Sequence, residues 1–204
     1  SKISHIFKII RFYKNNWLCR VQSIFGLLIG MPLQTSYFYN YKAQRYINKF
    51  SLENDMILTF MVRTQIYIND IEKPKFHYAI DSMYLNYKSG IKSSKSYLWK
   101  FIYRIETNLL HRFERKYLAI NNLTTFVNFD EAKYWSQFGM TEWLPHYVDK
   151  PSGIPIHSAK RNAITFIGRL DYQPNRDAIL WFVENVLPDI NENVSFEIIG
   201  GFAG

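Results

Sequence analysis

The stretch that most constrains this chain runs from Ala163 to Gly201. Ala163-Ile-Thr-Phe-Ile167 is a short apolar, β-branched run stopped by Gly168. Pro174 suits the first turn of a helix, where a missing N–H costs nothing. Ile179, Phe182, Val183, Val186 and Leu187 then recur at helical spacing, and Pro188 closes the pattern. Val194 to Ile199 is a second apolar run, ended by Gly200-Gly201. Strand, loop, helix and strand make one βαβ unit, so parallel strands and a right-handed crossover are expected. The loop that leaves such a strand for a helix N-terminus is where α/β sheets bind phosphate. Two strands and one helix cannot enclose a core. With the sequence ending at Gly204, the stretch reads as the opening of a domain that continues further.

Upstream, Ile3, Ile6, Phe7, Ile10, Tyr13 and Trp17, with basic residues between them, fit a basic amphipathic helix over Ser1 to Arg20. It reads either as an interfacial helix resting on anionic lipid or as an ordinary helix with a solvated basic face. Gly30 to Gln34 opens a turn, and Ser36 to Phe50 reads as a helix. Asp55 to Val62 is a buried strand with Arg63 just past its end, and Thr64 to Asp70 begins a helix. Lys75 to Ser82 is the next strand. Strand C-terminal ends carry the chemistry of α/β sheets, which makes Arg63 and Asp81 candidates. Asp81 reads equally well as a helix cap or turn carboxylate.

Ser94 to Tyr117 is a long helix with Leu98, Phe101, Ile102, Ile105, Leu109 and Phe113 on one stripe. Its other face, with Lys95, Lys100, Arg104, Arg112, Arg115, Lys116, Glu106 and Glu114, reads as solvated. Leu123 to Val127 is a strand. Asn128 with Glu131 resembles a capping box opening a helix to about Phe138, and Gly139 ends it. Thr141 to Val148 is a further strand. Asp149 to Asn162 has no periodicity and reads as a linker. The expected fold class is α/β, with two Rossmann-like domains built on parallel sheets, both incomplete. The first covers residues 1–148 without an opening strand, the linker 149–162, and the second begins at 163.

The net charge of +8 is not spread evenly. Lys2, Lys8, Arg11, Lys14, Arg20, Lys42, Arg45 and Lys49 lie in the first fifty residues, which hold no Asp or Glu. The other 17 of the 25 basic residues match the 17 acidic ones. Such a field attracts lipid headgroups, nucleic acid or phosphorylated substrates. No nucleic-acid motif accompanies it, so no nucleic-acid partner is expected. Ile24 to Pro32, the longest apolar stretch, falls far short of the ~20 residues that span a bilayer. Cys19 is the single cysteine. No intrachain disulfide is possible, and Cys19 reads as a small buried hydrophobe in a cytoplasmic protein.

Walker, G-x-G-x-x-G, G-x-S-x-G and zincin patterns are all absent, and no metal site is expected. The five histidines are scattered, and His77, alternating within a strand, reads as a packed core residue. The positive signal is Gly168-Arg169. Glycine lets a phosphate approach the backbone, arginine offers a planar fork of donors, and the helix start adds positive charge. That combination suits a diphosphate.

Phe166-Ile-Gly-Arg-Leu-Asp-Tyr-Gln-Pro-Asn175, with Ala178 to Phe182, Leu187-Pro188 and Phe196 to Gly200, resembles a known unit. It is similar to the first βαβ of the C-terminal domain in family 4 (group 1) glycosyltransferases, in the subgroup with a G-x-(L/M)-x-Y-x-P-N signature. Asp81-Ser82 resembles that subgroup's acidic strand end, and Glu106 to Glu114 its E-x-x-x-L-x-x-x-E helix. Phe126 to Asn128 with Glu131-Ala132 resembles the strand and helix before the domain crossing. Leu144 to Asp149 is similar to a P-N-G-V-D segment, with His146 and Tyr147 in place of Asn and Gly. The resemblance implies a GT-B fold, two Rossmann-like domains facing a cleft. It implies retaining transfer of a sugar from a nucleotide-sugar donor, without an obligatory metal or cofactor. Gly168, Arg169 and Asn175 would face the donor diphosphate, with Arg169 offsetting charge on the leaving group. Arg63 and Asp81 would stand on the acceptor side, which makes Asp81 and Arg169 the expected catalytic pair. Pro174-Asn175 stands where many members place a lysine.

The implied partners are a nucleotide-sugar and a glycan or lipid-linked acceptor of bacterial surface polysaccharide assembly. The basic N-terminal quarter would touch the inner face of the membrane. The family's E-x7-E motif would lie past Gly204. Glu106 and Glu114 imitate its spacing but stand about 80° apart on their helix, so no shared ligand is required. A competing reading is a non-catalytic protein that binds a partner chain or anionic membrane. The 204-residue chain by itself is expected to have little or no transferase activity, and turnover of any nucleotide-sugar by the purified chain would contradict this.

Overall fold

A computed structural model describes residues 9–93, 96–149, 162–190 and 193–201. The chain divides into two compact units, Ser1–Val148 and Asp149–Gly204. Each is mixed α/β with a parallel sheet, of Rossmann-like class.

In the first unit, strands β1 (Ile57–Phe60), β2 (Lys75–Ile80), β3 (Leu123–Phe126) and β4 (Thr141–Trp143) lie side by side in chain order. Every neighbouring pair is parallel, in registers such as Ile57 with Lys75, Phe76 with Leu123 and Thr124 with Thr141. β1, β2 and β4 are shorter than the apolar runs that encode them. β1 and β2 stop for a shared reason: Met61 and Ile80 take φ of 65° and 66°, which breaks the pleat.

The helices depart further from the sequence pattern. Residues 9–15 are not helical, and Asn15 caps helix α1 (Asn16–Leu28) by accepting the Trp17 N–H. The periodicity over Ser1 to Arg20 therefore does not make one helix, because an Asn side chain competes for the backbone in its middle. Its first eight residues lie outside the described ones. A second Asn divides the expected 36–50 helix into α2 (Leu33–Phe38) and α3 (Tyr41–Ser51), with Asn40 Oδ1 accepting from Lys42 and Ala43. Val62–Ile68 is a 3-10 segment rather than an α-helix. Helix α4 (Met83–Ser93) has no counterpart in the sequence reading. α5 (Tyr97–Ile120) is capped by Ser96, and α6 (Phe129–Trp135) by Asn128. Of the expected linker, 150–161 lie outside the described residues.

Helix α5 is the centre of the unit. Its Phe113 and Tyr117 pack with Val62, Ile68 and Ile71, while its Leu118 packs with Ala79, Phe126, Ala132 and Trp135. The inward stripe is turned from the one expected: Glu106, Leu110, Phe113, Glu114 and Tyr117 are buried, whereas Leu98 and Phe101 are exposed.

The second unit pairs β5 (Ala163–Ile167) with β6 (Ser195–Ile199) in parallel, joined through α7 (Gln173–Asn185) and a 3-10 turn at Leu187–Asp189. Pro174 sits in the first turn of α7, and Phe182 meets Phe196 at 4.7 Å between ring centres. Among the described residues of this unit none is buried.

Trp135 is fully enclosed, so Trp135→Ala should cost about 3–5 kcal/mol in urea unfolding. Trp17, two-thirds exposed at 67%, should change stability by no more than about 0.5 kcal/mol when replaced by Ala.

Candidate functional site

The C-terminal ends of β1 and β2 carry the first candidate site. Met61 and Ile80 both hold positive φ, a conformation that costs an L-residue roughly 1–3 kcal/mol and persists only where the surroundings fix it. The backbone supplies part of that fixing. The Met61 N–H reaches Tyr78 O at 3.0 Å, and the Val127 N–H reaches Ile80 O at 2.9 Å. After Ile80 the chain turns Asp81 outward and Ser82 inward.

Ser82 then meets two carboxyl groups. Its hydroxyl donates to Glu114 Oε2 at 2.8 Å, and its N–H donates to Glu131 Oε2 at 2.7 Å. Glu114 Oε1 accepts the Tyr84 N–H at 2.7 Å, while Ser82 Oγ accepts the Leu85 N–H at 3.2 Å. At the start of α4 the Ser82 N–H is thus satisfied from α6, the Tyr84 N–H from α5 and the Leu85 N–H by Ser82 itself. Glu106 does the same for α2, accepting the Leu33 N–H at 2.8 Å at a helix start that Pro32 cannot cap through its side chain.

These contacts correct two sequence expectations. Glu106 and Glu114 are not on a solvated face; both are buried, each serving the start of a different helix. Glu131 does not close a capping box with Asn128 but reaches across to Ser82. Burial pushes the Glu114 carboxyl up to about 8, against the pull of its Ser82 and Tyr84 bonds, with Glu131 and Asp81 adding to the rise. Glu131 and Glu106 are also raised, chiefly by burial.

Arg63 and Asp81 line one cleft of about 210 Å³, together with Gln34, Met61 and Met83. The sequence marked the first two separately, as strand ends; the fold brings them together. The Arg63 guanidinium lies 4.4 Å from the Phe38 ring centre and 2.8 Å from Met61 Sδ. Asp81 Oδ2 accepts from Asn86 Nδ2 at 2.7 Å. Gln34 had no signal in the sequence, since its place in the cleft comes from α2 starting against Glu106.

Beneath the cleft a polar chain crosses the sheet. Gln65 Nε2 donates to Thr59 Oγ1 at 2.6 Å, Thr59 Oγ1 lies 2.9 Å from His77 Nδ1, and Asn121 Nδ2 donates to Gln65 Oε1 at 3.2 Å. Burial lowers the His77 pKa to about 4, so the ring is neutral at physiological pH. It is a packed residue of the sheet's inner face.

The second candidate site is the loop from β5 to α7. The Gly168 N–H reaches Ile199 O at 3.0 Å and the Leu170 N–H reaches Gly201 O at 3.1 Å. A Cβ on Gly200 would stand 1.8 Å from Gly168 O, so the two backbones pass at a separation only glycine permits. Asn175 Nδ2 is spent on Arg169 O at 2.9 Å, which makes Asn175 a brace for the loop. No side chain caps α7 at Tyr172. The exposed Arg169 guanidinium is held in a fork by Asp171, at 3.1 Å from Nε and 2.6 Å from Nη2. Sequence reasoning placed Arg169 at this strand end but missed Asp171 as its partner, although a carboxylate two residues on was the available signal.

Among the described residues, no cluster of three His, Cys, Asp or Glu side chains could hold a metal ion, and no helix is long and apolar enough to cross a membrane. Fold and sites define a Rossmann-like α/β protein with candidate chemistry at the C-terminal ends of its parallel strands. No protein-family model matches the chain, and no curated protein matches it.

A carboxyl whose folded pKa lies above its unfolded value stabilises the fold most at low pH. That contribution is lost as pH rises from about 4.5 to about 8 for Glu114. His77 acts in the opposite sense, but only between about 4 and 6.5. From pH 6.5 to 8 stability should therefore fall, with Glu114 contributing up to about 1.4 kcal/mol per pH unit. Glu114→Gln should make that slope shallower in urea unfolding at several pH values; parallel profiles would contradict the burial of this acid.

Proposed function

We propose that the chain belongs to a GT-B glycosyltransferase of the family 4 type. It would transfer a sugar from a nucleotide-sugar to a glycan or lipid-linked acceptor in bacterial surface polysaccharide assembly, on the cytoplasmic side of the membrane. The observation that carries this reading is the Gly168-Arg169 loop, set between the C-terminal end of β5 and the N-terminus of α7. An exposed arginine fork and the positive end of a helix without a side-chain cap meet in that loop, and they offer the charge and donors that a diphosphate needs.

In the proposed reaction an acceptor hydroxyl attacks the anomeric carbon of the donor on the face that the leaving group departs. The bond from that carbon to the diphosphate oxygen breaks, and the nucleoside diphosphate leaves with its electron pair. The hydroxyl proton passes to the departing diphosphate oxygen as the new glycosidic bond forms, and configuration is retained. Arg169 offsets the charge on the departing diphosphate. Asp81 and Arg63 serve the acceptor: Asp81 accepts a hydrogen bond from its hydroxyl, and Arg63, propped by Phe38, presents donors to its ring oxygens.

Asp171 competes with phosphate for Arg169, which gives the reading a two-sided test. UDP or GDP should raise the thermal midpoint of the chain. Arg169→Ala should weaken binding about tenfold or more, as for loss of a charge-assisted pair. Asp171→Asn should tighten it. Binding of neither nucleotide, or equal binding by all three proteins, would sink the proposal.

A further inference from the structure

Helix α1 is inverted for a helix on a water-facing unit. Its inward side is small and polar: Cys19, Ser23 and Gly26 are buried. Ser23 donates to Cys19 O at 2.9 Å, and Gln22 Nε2 donates to Ser36 O at 2.6 Å and to Tyr39 O at 3.0 Å. A Cβ on Gly26 would meet Ser36 Oγ at 1.9 Å, so α1 and α2 are in close contact on that side. At ~100° per residue, Trp17, Val21, Ile24 and Leu28 fall on the opposite side. Ile24, Phe25 and Leu28 are 62%, 64% and 76% exposed, and Ile29 continues the patch at 79%. A surface helix ordinarily turns its apolar stripe to the core.

The charge around this stripe indicates its occupant. Arg20 is exposed on α1, and Arg11 is exposed in the segment just before it. Phe12 of that segment packs edge-on to Tyr46 of α3, at 5.8 Å between centres. α3 carries Lys42, Arg45 and Lys49, all exposed. The first fifty residues contain no acidic side chain. A second copy seated symmetrically on this face would set like charges against each other. A sheet of anionic headgroups over hydrocarbon would meet both the charge and the apolar stripe.

We propose that α1 lies in the interface of an anionic lipid bilayer, with Trp17, Ile24, Phe25 and Leu28 in the acyl boundary and Arg11 and Arg20 on headgroups. This assignment stands without the transferase reading, because it uses neither candidate site.

Vesicle flotation of the full chain tests it. The chain should float with vesicles of phosphatidylcholine mixed with phosphatidylglycerol, and not with phosphatidylcholine alone. Combined Trp17→Ser, Ile24→Ser and Leu28→Ser should reduce flotation ~tenfold or more. The far-ultraviolet circular dichroism and thermal midpoint should be unchanged, since these side chains face outward. Arg11→Gln with Arg20→Gln should weaken flotation and its salt dependence. Equal flotation with neutral vesicles, or unchanged flotation of the serine variant, would overturn the proposal. So would absence of flotation accompanied by a concentration-dependent dimer that the serine variant abolishes, which would assign the stripe to a second copy.

Discussion

The first unit depends on the burial of a carboxyl group where a helix begins. Glu114 takes the Ser82 hydroxyl and the Tyr84 N–H, and Glu131 takes the Ser82 N–H from the other side. Three bonds from two acids, two to Ser82 and one to Tyr84, fix the chain just past a strained Ile80. They hold the backbone in a conformation it would otherwise leave, and that conformation turns Asp81 into the cleft with Arg63. An ionised Glu114 at this depth would be costly, so the acid stays protonated up to about 8. Positioning of the outer carboxylate is thus bound to the neutrality of the inner one.

The elements with strong local signals were legible in the sequence. Four apolar runs marked the first unit's strands, Asn128 marked the start of α6, and the pattern from Ala163 to Ile199 spelled a βαβ unit. What escaped was set by residues far apart in the chain. α4 has no clear apolar stripe, and its start is organised by Glu114, thirty residues away from Tyr84. A glutamate on a helix is solvated by default, so the inward stripe of α5 was placed on Leu98, Phe101 and Leu109 rather than on Glu106, Leu110 and Glu114. Asn15 and Asn40 each sit within an unbroken helical period, yet each ends up capping a helix.

For the candidate sites the same division holds. Arg63, Asp81, Gly168 and Arg169 could be found because strand ends are readable. Their partners could not: Phe38 under Arg63, Gln34 in the cleft and Asp171 in the arginine fork are consequences of packing. Gly200 was legible only as a strand terminator, and the fold shows it as the residue that lets two loops touch.

The proposed function comes to rest on one loop, which sets Arg169 beside the start of α7. Backbone amide resonances of the labelled chain, followed as UDP is added, examine that loop directly. The account predicts saturable shifts concentrated at Gly168, Arg169, Leu170 and the first turn of α7. Saturable shifts confined to the Arg63 and Asp81 cleft, or none in the loop, would contradict it.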